Sequence, residues 1–106
     1  MHKDESGDTV EYYLGFSGYN HPVRAKQRVS EEEAKKHEAY YVASFDRDRK
    51  LLNFEKHLHG EVVFEYAYSY HPNGVLMLAE IVDREGQMTT QHFDESGRLR
   101  VPEQMQ

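Results

Sequence analysis

The sequence predicts an α+β domain: an N-terminal β-hairpin, one short helix, and a five-strand antiparallel meander with the helix packed on its tyrosine-rich face. Three observations carry this. Val23 to Val29 alternates apolar and charged residues, the period of a strand with one wet face. Ser30-Glu31-Glu32-Glu33 is a capping-box signature at a helix start. From Tyr40 to Phe93, aromatic and β-branched runs are broken by turn residues at nearly regular intervals, the rhythm of consecutive hairpins.

In chain order, residues 1 to 8 are polar and without periodicity, which predicts a disordered N-terminus. Val10 to Phe16 is the first β-rich run, closed by a turn that holds Gly15, Gly18, Asn20 and Pro22. The return strand puts Val23, Ala25 and Val29 on one face and Arg24, Lys26 and Arg28 on the other. Such a basic row either guards an edge strand or grips an anion. A helix over about 31 to 39 follows, in which Ser30 accepts the Glu33 amide proton. Glu31 with Lys35 and Glu32 with Lys36 would add about 0.2–0.5 kcal/mol per pair.

The meander strands are expected at 40–46, 50–58, 61–70, 75–82 and 87–93, with Gly60, Gly74 and Gly86 supplying the positive φ that hairpins need. At Gly60, burial decides between two turns. A two-residue turn in regular register sets Glu55 opposite Phe64. A three-residue turn pairs Lys56 with Val62, Phe54 with Phe64 and Leu52 with Tyr66, and so gathers Phe64, Tyr66, Tyr68 and Tyr70 on one inner face. The second is therefore expected. Strand 75–82 is apolar on both sides, as a central strand or one meeting a partner would be. Together these elements make one domain over 9–101, with a flexible end at 102–106.

Composition narrows the function. The chain has 106 residues, 13 Lys and Arg against 19 Asp and Glu, and a net charge of -6. An acidic surface repels phosphate backbones and anionic lipid, so neither nucleic acid nor membrane is an expected partner. Cysteine is absent, which removes disulfides and thiol chemistry. The polar beginning lacks an apolar leader stretch, and the cytoplasm is the expected compartment.

No complete catalytic constellation is present. The seven histidines form no metalloprotease-type motif. Glu55, His57, His59 and Glu61 offer imidazole and carboxylate near one turn, a set that suits Zn²⁺ in principle, but His59 falls inside the turn, where strand geometry fails. Glu65 and Glu80 approach each other only in some registers. Ser17, Ser44 and Ser69 lack a nucleophile elbow, and Gly15-Phe16-Ser17-Gly18 is no phosphate loop. No catalytic, cofactor-binding or metal-binding residue is assigned. The candidate recognition surface is Tyr12, Tyr13, Phe16, Tyr19 and His21, since tyrosines beside Gly, Ser and Asn are the composition of binding loops.

Phe45-Asp46, Tyr70-His71-Pro72-Asn73-Gly74 and Phe93-Asp94-Glu95-Ser96-Gly97-Arg98-Leu99 form a weak internal repeat, and the last copy resembles the unit of YD repeats in Rhs-type shell proteins. Shared hairpin chemistry explains it more simply. More broadly, Tyr12-Tyr13-Leu14-Gly15-Phe16, Val29-Ser30-Glu31-Glu32-Glu33 and Tyr40-Tyr41-Val42-Ala43-Ser44-Phe45-Asp46 resemble a family of small bacterial proteins of unknown function. That resemblance implies a single-domain fold and no activity. The expected role is a small non-enzymatic protein-interaction module, working through an unknown protein partner or self-association. The alternative is a small-ligand-binding or minor hydrolytic protein with a pocket between helix and sheet.

Overall fold

The computed structural model describes residues 2–3, 8–18 and 20–100. In chain order the elements are β1 (His2–Lys3), β2 (Thr9–Ser17), β3 (Arg24–Val29), α1 (Glu31–Ala34), β4 (Ala39–Phe45), β5 (Leu51–Leu58), β6 (Glu61–Tyr70), β7 (Leu76–Val82), β8 (Met88–Phe93) and β9 (Leu99–Arg100). All nine strands join one sheet in which every pairing is antiparallel. From β4 onward spatial order follows chain order, while β1 and β3 both lie on the side of β2 away from β4. His2 pairs with Val10 and Lys3 with Thr9. The rest of the expected disordered start, residues 1 and 4–7, and the expected flexible end at 102–106 lie outside the described residues.

The class is therefore all-β, and the expected α+β assignment is corrected. Ser30 caps α1 as its sequence predicts, with Oγ accepting from the Glu33 amide at 3.0 Å, and Lys35 reaches Glu31 at 2.8 Å. But α1 ends at Ala34 instead of 39. Ala34 is its only buried residue, and no apolar stripe continues through Lys35, Lys36, His37 and Glu38. Local capping alone does not sustain a helix. The helical turn touches β2 and β4 and leaves the tyrosine face to another element.

Four of the turns are one design. Asp46, Asp83 and Asp94 each accept two backbone N–H groups on Oδ1, from residues i+2 and i+4. Each turn closes with the i amide donating to the i+4 carbonyl, and the His71–Val75 turn closes the same way. The position before the last holds Gly74, Gly86 and Gly97 at φ 89, 83 and 93°, but Arg49 at φ 66°. The sequence repeat is thus hairpin chemistry.

At the β5–β6 connection the expected three-residue turn is corrected. Leu58 pairs with Glu61 around a two-residue His59-Gly60 turn with φ of 52 and 83°, the double positive φ of a type I′ hairpin. A bulge between Lys56 and His57 then shifts the register, so that Lys56 faces Phe64 and Phe54 faces Tyr66. The bulge achieves the segregation that the longer turn was expected to provide. Similar shifts lie between Ser44 and Phe45 and between Ser69 and Tyr70.

The core is an aromatic layer on one face of the sheet. Phe54 is fully buried at its centre, with Tyr41 and Tyr66 stacked beside it at 5.3 and 6.3 Å. The distal half of the β2–β3 hairpin covers this layer. β2 pairs with β4 as far as Tyr13↔Tyr41, whereas β4 stays with β5 to Ala39. Past Tyr13 the hairpin leaves the sheet plane. Phe16 then packs edge-on against Tyr41, Phe54 and Phe64 at 5.3 to 6.1 Å, and Val23 and Ala25 join the same cluster. The molecule is a sheet partly roofed by its own first hairpin.

Candidate functional site

The roof places the connection between β2 and β3 over the far side of the sheet. His21 lies edge-on to Tyr66 at 4.8 Å between ring centres, and its Nδ1 is 2.6 Å from the Tyr68 hydroxyl. That hydroxyl also accepts a long 3.4 Å bond from the Val23 amide. Tyr68 is 4% exposed, and burial raises its pKa far above the usual phenol value. Burial lowers that of His21. The phenol therefore keeps its proton and donates a hydrogen bond to Nδ1, so that a neutral imidazole carries its one N–H on Nε2.

Beyond His21 opens a cavity of about 430 Å³ lined by Asn20, His21, Gln91, Phe93, Gly97 and Leu99. Gln91 sits opposite Ala79 and Phe93 opposite Leu99, all facing the roofed side. Phe93 is anchored from behind, since its carbonyl accepts from His71 Nε2 at 2.8 Å. None of the six lining residues is Asp, Glu, Lys or Arg. Neutral polar groups beside an aromatic wall are the usual lining of a small-molecule site.

The structure disperses the predicted recognition surface. Tyr13 is buried, its hydroxyl on Glu11 at 2.7 Å. Phe16 belongs to the core. Tyr12 is half-buried and lies 6.3 Å from Tyr40. Tyr19 lies outside the described residues. Among the described members of that surface, His21 is the one that lines the cavity. A cavity of about 140 Å³ does lie where the helix starts against the sheet, lined by Val10, Glu11, Tyr12, Arg28, Val29, Ser30 and Glu31, but the larger one lies between a loop and the last two strands, because a hairpin and not the helix roofs the aromatic face.

Two further clusters gather titratable groups. Glu11, 4% exposed, takes a two-pronged bond from Arg49 at 2.8 and 3.0 Å, with Arg28 at 3.6 Å. The Arg49 guanidinium holds the Glu11 carboxyl below its usual value against the opposing effect of burial. Arg49 also lies 4.2 Å over the Phe45 ring. The signal in the sequence was Arg49 standing where sister turns carry glycine. On the opposite sheet face Glu55 and Glu65 are direct cross-strand neighbours, a repulsive placement relieved by His57 on Glu55 and Asn53 on Glu65, each at 2.9 Å. His57 is further held by stacking on Tyr40 at 5.0 Å. His59 sits in the turn, and among the described residues no group of three His, Asp or Glu is placed to hold a metal ion. Glu80 faces Ala67, not Glu65. The basic row lies on β3, which among the described residues pairs with β2 alone.

These features define a class: an all-β single-sheet domain, roofed by its first hairpin, with a neutral cavity beside the roof. The chain belongs to a family of unknown function, DUF6156, whose match spans residues 5–101. That match carries neither the YD-repeat likeness nor a source organism. No curated protein and no solved structure matches the chain. Among the described residues no helix is long and apolar enough to cross a membrane.

Proposed function

We propose that the protein is a non-enzymatic binding module that takes a small molecule in the cavity lined by Asn20 and His21 on one side and by the β8–β9 hairpin on the other. One observation carries the reading: the cavity of about 430 Å³ presents a fixed, neutral His21 among uncharged polar neighbours, a size within the roughly 300–1,000 Å³ of ligand pockets. A binding role through an uncharged cavity narrows the broader expectation of a protein-interaction module, because among the described residues expected to form that surface Tyr13 and Phe16 pack into the core and Tyr12 lines the separate cavity at the helix start. The net charge of -6 argues against nucleic acid and anionic membranes as partners, and the cytoplasm is the compartment we propose.

The test is a thermal-shift screen of uncharged and charged metabolites, followed by amide chemical-shift mapping. A ligand at 100 times its Kd stabilises by about 2.7 kcal/mol, and its shifts should centre on Asn20, His21, Gln91 and Phe93. Hits that map to the β3 edge or the Glu55–His57 face instead would refute the assignment.

A further inference from the structure

We propose that the cavity recognises a neutral planar amide or lactam by its adjacent N–H and C=O groups, with His21 as the specificity-determining donor. The inference rests on the ligand-binding reading above and adds the chemical class. Asn20 and Gln91 each offer a carboxamide, which donates and accepts side by side, and an amide edge is the complement of that pair. His21 adds a donor of fixed sense: Tyr68 occupies Nδ1 at 2.6 Å, so the imidazole meets the cavity with Nε2–H. Its partner is a carbonyl oxygen.

Charge argues the same way. Among the described residues that line the cavity, Asn20, His21, Gln91, Phe93, Gly97 and Leu99, none carries a formal charge, so an entering carboxylate or phosphate loses water without gaining a cation from them, and an ammonium group gains no anion. Either transfer is costly without a paired charge. Burial beside Tyr66 and Tyr68 opposes protonating His21 to create a cation there. The Phe93 ring and Leu99 side chain, paired across β8 and β9, supply a flat apolar wall for the ring that bears the amide.

Benzamide, benzoate and benzamidine share one shape and carry charges of zero, minus one and plus one. Each is titrated into the ¹⁵N-labelled full chain at pH 7.5. Benzamide should shift the Asn20, His21, Gln91 and Phe93 amides with a Kd at least tenfold below either charged isostere. His21→Ala should weaken benzamide about tenfold, the worth of one good hydrogen bond. Gln91→Glu keeps the shape of the lining and should turn the preference toward benzamidine, which guards against a loop that merely misfolds in the His21 variant. Equal or tighter binding of benzoate or benzamidine at these same amides to the unmodified chain overturns the amide assignment and leaves the cavity as a ligand site. No shift of those amides by any of the three overturns the cavity reading, and the amide assignment with it.

Discussion

Replacing Tyr68 with Phe removes one oxygen from beneath the roof and leaves the ring in place. In the wild type that oxygen donates to His21 Nδ1 at 2.6 Å and accepts from the Val23 amide at 3.4 Å. Val23 and Tyr68 are 6% and 4% exposed, so water does not reach the orphaned amide without opening the roof. A buried polar group stripped of its partner costs about 1–3 kcal/mol. The Val23 bond is long and sits at the low end, while the His21 bond is short. The sum is about 2 kcal/mol, and at roughly 4–8 °C per kcal/mol for a domain this small the melting temperature should fall by about 10 °C. Urea unfolding followed by circular dichroism reads the difference at constant m. A double-mutant cycle with His21→Ala should return a coupling of about 1 kcal/mol. A Tyr68→Phe protein as stable as wild type, or two variants whose effects simply add, would show that the His21–Tyr68 bond is not what seats the loop.

Other consequences follow from the same structure. Arg49→Ala strips the fork from a carboxylate that is 4% exposed while Arg28 remains nearby, and should cost about 2–3 kcal/mol; an unchanged urea midpoint would refute it. Because folding lowers the Glu11 pKa, its contribution is present above the unfolded value of about 4.3 and is lost as pH falls through the lower folded value, so the Arg49 variant should show a shallower loss of stability below pH 5. His21 is a base whose pKa folding also lowers. The unfolded chain then binds its proton more readily, so this stability is complete above about pH 6.5 and declines as pH drops toward the folded value; comparing wild type with His21→Ala at pH 7.5 and 5.5 isolates it. Gly74→Ala meets nothing within 4 Å at φ 89° and should cost about 1–2 kcal/mol from backbone strain alone. Phe54→Ala, at the fully buried centre of the aromatic layer, should cost about 3–5 kcal/mol.

The strands were legible because their signals are local. Alternation in 61–70 put Phe64, Tyr66, Tyr68 and Tyr70 on one face, and glycines at 60, 74 and 86 marked the reversals. Bulges were not legible at this level. The two-residue turn at His59-Gly60 looked wrong only while the strands were assumed regular, and one extra residue in β6 removed the conflict. The helix failed for a related reason: Ser30 and three glutamates write a strong start, but a start signal says nothing about length, and no apolar stripe follows Ala34. The roof is the least legible feature. Phe16 and His21 meet Phe64 and Tyr68 across more than forty residues, through a departure of β2 from β4 that no short window encodes. His21 was singled out for its loop composition, whereas Gln91 and Phe93, which complete its cavity, stand in a strand with no mark of their own.

An aromatic NOESY spectrum of the ¹³C-labelled protein probes the roof directly. Contacts from the His21 ring to Tyr66 and Tyr68, and from Phe16 to Phe54 and Phe64, are expected at the 4.8 to 6.1 Å ring separations of the structure. Cross-peaks from Ala34 and its helical turn to those tyrosines, with the His21 and Val23 amides exchanging as freely as an unfolded chain, would mean that the hairpin does not cover the sheet and that the cavity beside it does not exist.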